Sequence, residues 1–191
     1  MTYDMRGNGG SEGNLAEFSR ADFIADAATA YDYLKSKVSP DTVIGVAGSS
    51  FGSYTAVLLT EQRPVVCMSL RVPASYPDEG LNEPQEAQRT ASNDFAEWRK
   101  QKLGPNDNRA FKALHDFRGK VQIIEAGADE MVCHQVTENY VNAVANRQQL
   151  EYVVMQNAPH RLANQELAAE YETLLTNWAK QFLTVKRPAK I

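Results

Sequence analysis

Cysteine is scarce: Cys67 and Cys133 are the two among 191 residues. They are too few for a disulfide framework and show no zinc-ligand spacing. Histidine is almost as rare. His115, His134 and His160 are the three in the chain, so any chemistry that needs imidazole has three candidates. No run approaches the ~20 apolar residues of a membrane span, and the segment Met1–Gly7 lacks the apolar core of a signal peptide. A cytoplasmic protein with no membrane contact, no metal and no cofactor is therefore the expectation. Basic residues form no stripe of the kind that tracks a nucleic-acid backbone. Net charge is −4, and the one basic cluster, Lys186-Arg187-Pro188-Ala189-Lys190, reads as a solvated tail.

With 43% hydrophobic and 23% charged residues, the chain has the composition of a globular protein, and its length predicts a single domain over 1–191. Residues 20–37 place Phe23, Ile24, Ala27, Ala30, Tyr31 and Leu34 at helical spacing, with Ser19 or Asp22 to cap the start and Pro40 beyond the end. The runs at 42–47, 65–70, 121–125 and 151–155 are apolar on both faces, as buried parallel strands are. Helical patterns fill 51–62, 134–148 and 163–184. Trp98, Trp178, Tyr171 and Phe182 read as helix-packing aromatics. This alternation predicts an α/β architecture, a mostly parallel sheet with helices on both faces. Right-handed crossovers then bring the C-terminal strand ends to one edge, where sites in open α/β sheets gather. Residues 71–119 interrupt the alternation with prolines and glycines, a charged helical stretch at 85–102 and another helix at 108–116. So long a connection reads as a small lid or cap; a crossover helix with a ragged loop is the alternative.

Gly48-Ser49-Ser50-Phe51-Gly52 follows a strand and opens a helix, the context in which G-x-S-x-G presents a strained nucleophile. Ser50 alone has glycine at both −2 and +2, and side chains at those positions are expected to collide with neighbouring backbone. The helix that follows aims its free N–H groups and positive end at the same point. A serine hydroxyl needs a base, and histidine held by a carboxylate is the base suited to neutral pH. His160 follows the last strand and precedes the last helix, so it belongs to the same sheet edge as Ser50. His115 and His134 read as ordinary surface or structural residues. The acid comes from the turn after the third strand, where Asp129 is the first choice and Glu130 the second. Nucleophile, acid and base then run Ser50, Asp129, His160 along the chain.

Four segments in that order resemble the α/β-hydrolase superfamily, and among its members the small esterase and dienelactone-hydrolase-like serine hydrolases. Asp4-Met5-Arg6-Gly7-Asn8-Gly9-Gly10-Ser11-Glu12-Gly13 is similar to the D-x-R-G-x-G-x-S-x-G segment that follows strand four of that family. The Ser50 turn is the second segment. Gly127–Val132 resembles the family's acid turn, with Cys133 where proline is usual, and His160 is the fourth. The resemblance implies a hydrolase fold shortened at its front, because strands one to three have no counterpart ahead of Asp4. It implies equally that the front loop giving one oxyanion N–H has no counterpart, leaving the Phe51 N–H as the other donor. Loss of one such donor costs about 2.7–4 kcal/mol. The strand at 42–47 would then keep an open edge, so a homodimer or higher oligomer through that edge is expected, with fold-back of residues 1–20 as the alternative.

The activity so implied is hydrolysis of small-molecule carboxylic esters through an acyl-enzyme, with Arg71 and Tyr76 shaping the acyl pocket. Two other readings accompany it: a catalytically weak, dimerising or binding version of the fold, and a peptidase or thioesterase. Cys67 reads as buried core. Cys133 beside His134 suggests a Cys-His site, though adjacent residues seldom face each other. Gly7-x-Gly9-Gly10-x-x-Gly13 suggests a nucleotide loop, but such a loop needs a strand before it and a helix directly after it.

Overall fold

Helix α1 (Arg20–Lys37) begins at a capping box, in which the Asp22 N–H donates to Ser19 Oγ and the Ser19 N–H to the Asp22 carboxylate. Both expected caps therefore act together, satisfying two backbone donors that the first helical turn leaves free. The computed structural model describes residues 1–86 and 93–182. The basic tail at 186–190 and part of the helix expected at 85–102 lie outside these residues.

Four strands, β1 (Gly45–Ser49), β2 (Cys67–Arg71), β3 (Lys120–Ala126) and β4 (Leu150–Met155), form one parallel sheet in the order β1-β2-β3-β4. The helices between and after them are α2 (Phe51–Leu59), α3 (Asn93–Arg99), α4 (Arg109–Asp116), α5 (His134–Ala143) and α6 (Gln165–Lys180). The first strand differs from the 42–47 expected. Thr42 sits in a turn, its N–H donating to the Ser39 carbonyl, and the ladder runs from Gly45 opposite Cys67 to Ser49 opposite Arg71. Pairing with β2 thus extends the strand into two poor strand formers, Gly48 and Ser49.

Helices cover both faces. Met68, Leu70, Val121 and Ile123 pack with Val57, Leu58, Phe111 and Tyr140 on one side. Ile124, Ala126 and Met155 meet Leu167, Tyr171 and Leu174 of α6 on the other. Beneath α6 a polar line crosses three strands: Ser69 Oγ lies 2.8 Å from Gln122 Oε1, and Gln122 Nε2 lies 2.8 Å from Glu151 Oε1. Among the described residues β1 pairs only with β2. A groove of about 300 Å³ follows its outer edge, bounded by α1, α2 and the segment Met1–Met5. The N-terminal segment lines this groove beside β1 without a ladder to it among the described residues.

The glycine-rich loop after Met1 ties this segment down. Arg6 bonds Asp26 through Nε and Nη2 and reaches Asp22 through Nη1. Asp4 accepts the Gly10 N–H at 2.9 Å, and a side chain on Gly9 (φ +54°) would run into the Asp4 carboxylate. Among the described residues the six before Gly7 form no strand, and a short 3₁₀ turn, Leu15–Glu17, stands between the loop and α1. The nucleotide-loop reading therefore lacks the helix it needs directly after the loop.

The described part of 71–119 leans on the start of α1, where Ala21 N–H donates to Leu81 O and Gln85 N–H to Phe18 O. Arg20, with no exposed surface, holds it from inside: its guanidinium donates to the Pro77 and Glu79 carbonyls and to the Tyr54 hydroxyl. Helix α4 forms as expected at 108–116, with Asn108 as its cap.

Candidate active site

β1 ends and α2 begins at Ser50, whose backbone (φ 54°, ψ −117°) lies where L-residues are strained. The turn is closed by Ser50 N–H donating to Arg71 O at 2.9 Å, and by Ala74 N–H and Ser53 N–H donating to Ser50 O. Gly48 is required by space: a Cβ there would stand 2.2 Å from the Gly52 carbonyl oxygen and 2.6 Å from Ser53 N. Gly52 is not, since a Cβ on it meets nothing within 4 Å. The expectation that glycine is needed on both sides is corrected to the strand side alone, because the chain folds back over Gly48 while Gly52 faces the groove.

His160, 7% exposed, lies in the loop between β4 and α6. Its Nε2 is 3.0 Å from Ser50 Oγ, and its Nδ1 is 2.8 and 3.1 Å from the two oxygens of Asp129. Asp129 follows β3, its side chain as buried as that of His160, and its Oδ1 also accepts the Met131 and Val132 N–H groups, each at 2.8 Å. An acceptor-only carboxylate facing Nδ1 puts the ring proton there, leaving the Nε2 lone pair to receive the Ser50 hydroxyl. Glu130, the second choice for the acid, accepts the His160 backbone N–H at 3.1 Å, and that bond lowers its pKa. Both neighbouring acids therefore hold His160, one by its ring and one by its main chain. The Phe51 N–H, first amide of α2, has no acceptor among the described residues and lies next to the Ser50 turn.

The two residues expected to line an acyl pocket sit differently. Tyr76 is half-buried in an aromatic cluster with Phe51, Tyr54 and Phe95, and the Arg99 guanidinium stands 4.9 Å from its ring centre. The Arg71 guanidinium reaches under the His160 loop, where the Pro159 and His160 carbonyls accept from it. Tyr171, read from sequence as a helix-packing ring, also stacks on the Arg71 guanidinium at 5.6 Å. Neither the Arg71 bonds to the His160 loop nor the Glu130 contact carries a sequence signal, since both involve backbone atoms.

His134 and Cys133 do not face each other. The Cys133 thiol points to the Arg99 carbonyl, while His134 Nδ1 is 2.6 Å from Glu125 Oε1, whose other oxygen accepts the Tyr152 hydroxyl. The Glu125 bond raises the His134 pKa, and burial followed by the Glu125 bond raises that of Tyr152. A raised histidine pKa means stability that is fully present below the ordinary imidazole value of about 6.5 and is lost as pH climbs through the folded value. The effect is small because the His134 side chain is 64% exposed. The melting-temperature difference between wild type and His134→Gln should be largest at mildly acidic pH and fade on the alkaline side; a difference that grows with pH contradicts this.

No family model matches the chain, and no curated protein matches it in sequence. Solved structures do match. Ferulic-acid-bound Est1E from Butyrivibrio proteoclasticus shares 20% identity at a TM-score of 0.65, over 93% of this chain and 76% of that one. An esterase from Pyrococcus furiosus shares 21% at 0.66, over 95% and 69%. A monoacylglycerol lipase from Paleococcus ferrophilus shares 14% at 0.64, over 92% and 80%. With its parallel sheet, its strained serine turn between β1 and α2, and these neighbours, the chain has the α/β-hydrolase fold.

Proposed function

We propose that the chain is a serine hydrolase that cleaves carboxylic esters, with Ser50 as nucleophile, His160 as general base and acid, and Asp129 orienting the imidazole. The observation that carries this reading is the 3.0 Å approach of His160 Nε2 to Ser50 Oγ, with Nδ1 on a buried carboxylate. The esterases and the lipase among the structural neighbours support an ester as substrate class.

Ser50 Oγ attacks the ester carbonyl carbon while Nε2 takes its proton. The developing oxyanion is met by the Phe51 N–H and the positive end of α2. The tetrahedral adduct collapses, the C–O bond to the alcohol breaks, and the imidazolium returns its proton to the leaving alkoxide. Water then attacks the acyl-serine with the same histidine as base, releasing the acid and restoring the Ser50 hydroxyl. Asp129 remains a carboxylate throughout and stabilises the transient imidazolium.

Purified protein should hydrolyse p-nitrophenyl acetate and take up a fluorophosphonate probe at Ser50. The Ser50→Ala variant should lose the label and fall to the rate without enzyme. A folded wild type that takes no label removes this reading and favours a binding protein on a hydrolase fold. Equal turnover by Ser50→Ala removes Ser50 as nucleophile.

A further inference from the structure

Arg71 ends β2, is 5% exposed, and pairs with no carboxylate among the described residues. Its guanidinium spans two segments instead. Nη1 donates to Ser49 Oγ at 2.7 Å and Nη2 to the His160 carbonyl at 2.5 Å, with the Pro159 carbonyl at 3.5 Å. Its own carbonyl accepts the Ser50 N–H at 2.9 Å and the Ser53 hydroxyl at 3.1 Å. A buried cation whose hydrogen bonds all end on neutral acceptors is costly, and the Tyr171 ring and the Asp129 charge offset part of that cost. Burial pulls the guanidinium pKa down, yet arginine stays charged at neutral pH. The residue after it, Val72, has φ +40°, so apart from Ser50 the one strained non-glycine residue among those described adjoins Arg71.

We propose that Arg71 is a positioning residue that clamps the turn carrying Ser50 to the loop carrying His160. The inference rests on the Ser50–His160 chemistry proposed above. The ring of His160 is fixed through Nδ1, but the bond to Asp129 alone leaves it free to pivot. Main-chain anchors on both sides of its Cα remove that freedom: Glu130 holds the N–H and Arg71 holds the C=O. Because the same guanidinium grips Ser49, one residue before the nucleophile, the base and the nucleophile move as one body. A planar fork is suited to two acceptors at once, which a lysine point donor is not. Arg71 bonds Ser49 and the main chain of the His160 loop and not the Ser50 hydroxyl or the His160 ring, so its removal is expected to alter the chemical step more than substrate binding.

The test uses Arg71→Ala and Arg71→Lys in the full chain, with folding checked by circular dichroism. In Arg71→Ala, kcat on a p-nitrophenyl ester should fall about 100-fold, the loss that goes with roughly 1 Å of misplacement, at unchanged KM. The low-field NMR resonance of the His160 Nδ1 proton should shift or broaden. Millimolar guanidinium chloride, but not sodium chloride, should restore part of both, and Arg71→Lys should fall between wild type and Arg71→Ala. The clamp is overturned by a rise in KM at constant kcat, by a resonance that stays as in wild type, or by a loss in folded protein that guanidinium does not restore. The NMR reading needs no turnover. An inactive wild type would thus defeat the ester-hydrolase reading while the clamp was still judged, and Ser50-dependent turnover with an unmoved resonance would defeat the clamp alone.

Discussion

Asp129→Asn should lower kcat about 10⁴-fold with little change in stability, the scale set by a wrong imidazole tautomer. The direction follows from the partners of the carboxylate. Oδ1 accepts two backbone N–H groups at 2.8 Å each, and those amides accept nothing in return. Asparagine must therefore keep its carbonyl oxygen toward Met131 and Val132 and turn its NH₂ toward His160 Nδ1. Facing a donor, Nδ1 gives up its proton to Nε2, and the ring presents an N–H to Ser50 where a lone pair is needed. Steady-state turnover and the rate of fluorophosphonate labelling should fall together. Glu130→Gln supplies the contrast: its side-chain oxygen still accepts the His160 N–H, so activity should stay within a few-fold of wild type. Reversed results for the two acids would transfer the orienting role from Asp129 to Glu130.

The second large effect is steric. Gly48→Ala would place a methyl carbon 2.2 Å from the Gly52 oxygen and 2.4 Å from its carbonyl carbon. Both are backbone atoms, so no rotamer change relieves the clash, and the strand and the helix must part at the turn. A loss of about 3 kcal/mol is expected, at the upper end of overpacking costs. For a chain of this length that corresponds to a melting temperature roughly 6–12 °C lower. Gly52→Ala should behave oppositely. It enters open space at the start of α2, where alanine exceeds glycine in helix propensity by up to about 1 kcal/mol. Thermal melts of the two variants decide the matter. Equal destabilisation by both would mean that Ser50 needs freedom on each side, as the sequence pattern alone suggests.

Those two glycines show how far the primary structure could be read. Ser50 was legible because a β-branched run, a glycine and a helical pattern meet there. His160 and Asp129 were legible because topology sends the ends of β3 and β4 to the same edge. Helix α1 has the bounds that Ser19, Asp22 and Pro40 predict. The start of β1 was misjudged because strand propensity favours Thr42 and Val43, whereas the ladder is decided by which residues oppose Cys67 to Arg71. The grip of Arg71 on the His160 carbonyl and of Glu130 on the His160 N–H could not be read at all. Both bonds end on main-chain atoms that every residue possesses, so no pattern of side chains announces them.

The polar line from Ser69 through Gln122 to Glu151 bears on how these strands find their alignment. The apolar pairs between β2 and β3, Met68 with Val121 and Leu70 with Ile123, discriminate weakly between registers, and a slide that sets one aliphatic residue in place of another costs little there. It would also leave a carboxamide buried without a mate, a penalty of roughly 1–3 kcal/mol for each group so orphaned. The three side chains act as a key cut for a single lock position, and a misthreaded sheet is rejected by hydrogen bonding before hydrophobic packing can tell the difference.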